Sequence, residues 1–149
     1  RWDQAQIEEG ATLVEAALRS AGRGAGPYAL QAAIAALHAE APTAAATDWK
    51  EIAALYGVLA EVHPTPVVEL NRAVAIAMAG DVARGLSLVD AIERRGELAG
   101  YHLLPTARAE LLRRLGRRGE AAKAYRRALE LVKNEAERRH LEKRLAEVA

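Results

Sequence analysis

A chain of 149 residues with no cysteine can fold as one domain that buries about 70% of the surface its unfolded form exposes, and it excludes disulfides, thiolate metal sites and a cysteine nucleophile. The formal net charge is only +1, but residues 1–100 hold 8 Lys/Arg against 13 Asp/Glu while residues 101–149 hold 13 against 7. The basic final third could meet an acidic partner, yet its charges alternate in sign at i,i+4 spacing, the pattern of a solvated helix face.

Phenylalanine is absent and no β-branched run is bounded by turns, so every periodic segment follows the helical period and the expected fold class is all-α. Breakers divide the chain into eight expected helices: Trp2 to Ser20, Pro27 to Glu40, Asp48 to Glu61, Pro66 to Ala79, Val82 to Arg95, His102 to Leu115, Arg117 to Val132 and Glu135 to Val148. The cuts "SAGRGAG", "APTAAATD", "HPTP", "AGD", "RGELAG" and "RLGR" supply Gly and Pro. Thr47 or Asp48, Asp81 and Asn134 are expected to cap the helices that follow them, and Pro105 falls in a first turn, where its missing N–H is tolerated.

Alternate helices share one frame. Gly10, Ile52, Gly85 and Ala121 occupy one position of it, followed four residues later by Val14, Tyr56, Val89 and Tyr125. The intervening helices align Leu30-Gln31-Ala32-Ala33 with Leu70-Asn71-Arg72-Ala73 and Thr106-Ala107-Arg108-Ala109. Spacings of 42, 33 and 36 residues between successive frames give a two-helix period in the mid-thirties, the signature of a tetratricopeptide-type helix-pair solenoid. On this reading Ala33, Ala73 and Ala109 let the two helices of a pair approach closely, and Ile52, Gly85, Ala121, Tyr56 and Tyr125 pack one pair on the next. The spacing of 42 points to an insertion at "AEAPTAAATDW". The last helix, polar apart from Leu141, Leu145 and Val148, is the expected cap of the stack. Trp49, one turn before Ile52, is expected to anchor the core.

Catalytic motifs are missing. There is no G-x-S-x-G, Walker loop or H-E-x-x-H, and "GRGAGP" has no preceding strand. His38, His63, His102 and His140 stand at least 25 residues apart, and none has a ligand four residues on. A non-enzyme without cofactor or metal is therefore expected. The polar residues set into inner helices, Gln31, Asn71, Arg72 and Arg108, are the candidate binding residues. They could line a concave groove and hold a peptide or protein signal, Arg binding a carboxylate bidentately. Alternatively they make local contacts, Arg72 with Glu69 for example. Burying an amide without a partner would cost about 1–3 kcal/mol.

The order "GPYALQAAIAALHAEAP", "TDW..I..LY", "P.PVVELNRAVA", "GL.L.DAI" and "LAGYHLLP.ARAELLRRLGR..EA..AYRRALEL" resembles the C-terminal tetratricopeptide-like domain of bacterial extracytoplasmic-function RNA polymerase sigma factors. The resemblance covers nearly all of the chain. It implies a cytoplasmic domain that regulates transcription initiation by docking on the sigma core domains, on RNA polymerase or on a signal partner. Neither promoter-reading domain is present in residues 1–149, so no direct promoter DNA binding is expected, nor any membrane association: no apolar run reaches the roughly 18 residues of a span. A chain opening on Arg1, with Met78 its single methionine, fits one domain excised from a longer protein. A stand-alone scaffold binding a peptide or small partner is the alternative.

Overall fold

The computed structural model describes residues 31, 32, 34, 35 and 48–149, and every regular element among them is helical. Six helices follow in order: α1 (Trp49–Val62), α2 (Pro66–Met78), α3 (Val82–Arg95), α4 (Leu103–Arg114), α5 (Arg118–Leu131) and α6 (Glu135–Val148). Six are described where eight are expected. The helix expected over 2–20 lies outside the described residues, and that over 27–40 is represented by the helical Gln31, Ala32, Ile34 and Ala35.

Side-chain caps set the starts. Asp48 accepts from the Glu51 N–H at 3.1 Å, Asp81 from Arg84 at 3.1 Å and Asn134 from Glu137 at 3.0 Å. Each satisfies one of the donors that a first helical turn leaves open. Thr65 does the same for α2, accepting from Val68 at 3.2 Å ahead of Pro66 at the first helical position. His102 and Arg117, expected inside helices, are instead the capping residues of α4 and α5 and supply no side-chain cap. Gly116 ends α4 at φ +77°, where its own N–H and that of Arg117 reach back to Arg113 and Leu112. This is the Schellman arrangement, and its left-handed residue favours glycine.

The chain forms two compact units, 1–79 and 80–149. In the first, α1 packs on α2. Ile52, Leu55 and Leu59 recur on one stripe of α1 and are fully buried, with Ile34, Val68 and Ala75 completing their cluster and Trp49 and Tyr56 half-buried at its edge. Burying such an aliphatic side chain contributes about 1.5–3 kcal/mol.

In the second unit each helix packs on its chain neighbour, α3 on α4, α4 on α5 and α5 on α6. Val89, Ile92, Leu112, Ala121, Tyr125 and Leu141 are sealed from solvent at 2% exposure or less. Helix α6 buries Leu141 and Val148 and leaves most of its charged residues outside.

Candidate functional site

Asn71 and Arg72 stand side by side on α2. Asn71 is exposed, so the burial cost that an amide on an apolar helix suggests does not arise. Its neighbours Leu70 and Ala73 carry the burial instead. Arg72 is half-buried and lies over Gly57 of α1, where a Cβ would sit 3.6 Å from the guanidinium Nε. Among the described residues no ion pair joins Arg72 to Glu69, which is engaged otherwise. Gln31 is helical and exposed.

Arg108 belongs to the second unit and is committed to α3: its Nε–H donates to Asp90 Oδ1 at 2.8 Å and lies 3.7 Å from Glu93 Oε2. Of the residues assigned to repeat packing, Ile52, Ala73, Ala109, Ala121 and Tyr125 are at 0% exposure. Gly85 is buried and Tyr56 half-buried, while Ala33 lies outside the described residues, as does His38.

A polar cluster joins α4, α5 and α6 around Glu110. Arg113, one turn on, donates to Glu110 Oε2 at 2.7 Å. From α6, Arg144 Nε and His140 Nε2 each lie 3.7 Å from Oε1. The buried Tyr125 hydroxyl sits beside Glu110 and Arg113 but meets neither in a well-aligned hydrogen bond. Burial opposes ionisation of Glu110, but the Arg113 hydrogen bond and charge, helped by Tyr125 and Arg144, overcome it and hold the carboxyl below its ordinary range. Burial first, and the Glu110 charge second, push the Tyr125 phenol up to about 12.

Nearby, His102 Nε2 faces Glu137 Oε2 at 2.7 Å, off the line of a hydrogen bond. These two flank a cleft of about 330 Å³ whose apolar lining comes from Leu103, Ala136 and Leu141. A second cleft, of about 290 Å³, lies between the ends of α3 and α5 and the loop before α4. Inspection of the sequence for motifs misses both the Glu110 cluster and the His102–Glu137 contact. The signal that reveals them is the repeat period itself, since Glu110 and Arg144 are 34 residues apart and His102 and Glu137 are 35 apart.

Among the described residues no group of three His, Asp or Glu side chains could hold a metal ion, and no helix is long and apolar enough to cross a membrane.

No family model matches the chain, and no solved structure matches it at a significant level. An uncharacterized protein of Rhizobium meliloti (strain 1021) is 40% identical over 148 residues, 99% of this chain and 34% of that protein. The chain therefore spans about a third of the length of the curated relative it matches.

Proposed function

We propose that the chain is a tetratricopeptide-like regulatory domain of an extracytoplasmic-function sigma factor, a helix-pair solenoid that controls sigma activity by docking on the sigma core domains, RNA polymerase or a signal protein. The observation that carries the architecture is positional. Ala73 and Ala109 are both buried and 36 residues apart, and so are Gly85 and Ala121. Small residues sealed at one period in each of two helix types are what stacked helix pairs require. The link to sigma factors rests on the motif order running from "GPYALQAAIAALHAEAP" to "AYRRALEL". In the Rhizobium meliloti relative the matched segment is one part of a much longer protein, which suits an appended regulatory module.

On this reading Gln31, Asn71 and Arg72 offer polar groups to a partner, while Arg108 is already engaged by Asp90. Docking surfaces place their decisive contacts in a few such residues. The test is a pull-down of purified sigma core domains by this chain, combined with transcription by the full-length protein with and without the domain. Capture together with altered transcription supports the proposal, and failure of both removes it. Asn71→Ala and Arg72→Ala should weaken capture without lowering the melting temperature by more than a degree or two, because Asn71 is exposed and Arg72 has no ion-pair partner among the described residues.

A further inference from the structure

The cleft of about 290 Å³ in the second unit combines an apolar lining from Leu98, Leu104, Pro105, Ala124 and Leu131 with the cations Arg108, Lys123 and Arg127 and one carboxylate, Glu93. Its loop wall is built rather than loose. Successive turns are closed by Gly96 N–H to Glu93, Ala99 to Gly96, Tyr101 to Leu98 and Leu104 to Tyr101, with Gly96 and Gly100 at positive φ making the bends. The Tyr101 ring is held edge-on to His102 at a centroid distance of 5.8 Å. A wall held in this way loses little freedom on binding.

The cations are not equivalent. Arg108 is neutralised by Asp90 and Glu93, and Arg127 by Glu130 at 2.8 Å. Glu120, one turn before Lys123 on α5, feels the Lys123 charge but is held first by Arg117, whose Nε and one Nη donate to its two oxygens. Lys123 alone lines the cleft with no ion pair among the described residues, in a unit where residues 80–149 carry 16 Lys/Arg against 11 Asp/Glu.

One lining ammonium without an ion pair, beside an apolar wall, matches one negative charge on an apolar body. The volume lies just below the roughly 300–1,000 Å³ of small-molecule sites, room for about ten non-hydrogen atoms. We propose that this cleft binds a small amphipathic monocarboxylate, its chain or ring against Leu98, Leu104 and Leu131 and its carboxylate on Lys123. The proposal does not depend on what the domain docks against.

The test titrates the whole chain with sodium octanoate while amide resonances are followed by NMR, using sodium acetate as a probe lacking the apolar body and octan-1-ol as one lacking the charge. Expected is saturable binding with a Kd of about 1 mM or tighter, shifting Ala99, Gly100 and Ala124, with acetate and octanol each binding at least about tenfold more weakly. Lys123→Gln, an exposed change that leaves the fold intact, should weaken octanoate about tenfold, while Lys133→Gln, outside the cleft, should leave it unchanged. The proposal is overturned if octanoate does not saturate or if its shifts centre on Leu103 and Leu141. It is equally overturned if octanol or acetate matches octanoate, or if Lys123→Gln binds as tightly as the parent.

Discussion

Arg108 and Asp90 meet at 2.8 Å across the α3–α4 packing, 18 residues apart in the chain. The guanidinium that the sequence suggests for a partner's carboxylate is thus already satisfied by the chain's own Asp90. The side chains keep 26% and 32% exposure, so solvent screens the pair and its worth is about 0.5–1 kcal/mol. A double-mutant cycle of Arg108→Ala and Asp90→Ala in urea should return a coupling of that size, shrinking at high salt. Zero coupling would return Arg108 to the set of groups free to grip a partner.

Glu110 is the hinge of the α4–α5–α6 cluster, and removing its charge leaves Arg113 and Arg144 facing a neutral group. Glu110→Gln should cost about 1–3 kcal/mol at neutral pH. The folded-state pKa is depressed below 4.5, so the stabilisation is present above the unfolded value and is lost as pH falls through the folded one. The parent should therefore lose stability below about pH 4.5 more steeply than Glu110→Gln does. Chemical denaturation at a series of pH values reads the two slopes, and parallel curves would show that Glu110 contributes nothing to the acid limb.

Tyr125 has the opposite sign. Its phenol is pushed up to about 12, so the contribution of its neutral form is complete below about pH 10 and is lost as pH rises through the folded value. Ultraviolet titration should find Tyr125 and Tyr56, also raised by burial, ionising late, and Tyr125→Phe should delete the latest step. With no aligned partner for the hydroxyl, Tyr125→Phe should change stability by less than about 1 kcal/mol at neutral pH. Tyr125→Ala empties a fully buried site and should cost about 3–5 kcal/mol.

Much of the helical layout is legible because its punctuation is local. Asp48, Asp81 and Asn134 cap where the sequence places them, since a cap needs only an oxygen and a backbone N–H three residues on. The starts of α4 and α5 shift by one residue because His102 and Arg117 offer no capping oxygen and read as helix formers. Side-chain partners are less legible. Whether Asn71 faces the core or water depends on which stripe of an all-round apolar helix is covered, and periodicity cannot choose when Leu70, Ala73 and Ile76 are all buried. Arg108 finds Asp90, and Glu110 finds Arg144, through contacts that exist only once helices have packed.

The glycines separate local from tertiary demands. Gly116 sits at φ +77° with nothing within 4 Å of a Cβ position, so Gly116→Ala meets backbone strain alone and should cost about 1–2 kcal/mol. Gly57 lies inside α1 with an ordinary helical backbone, and its Cβ position meets Arg72 Nε at 3.6 Å, normal van der Waals contact. Gly57→Ala gains up to about 1 kcal/mol of helix propensity and confines the Arg72 side chain. Thermal unfolding should therefore move the two variants in opposite directions. If Gly57→Ala also weakened the capture of sigma core domains that is proposed for this chain while raising the melting temperature, the freedom of Arg72 rather than the stability of α1 would be what that glycine serves.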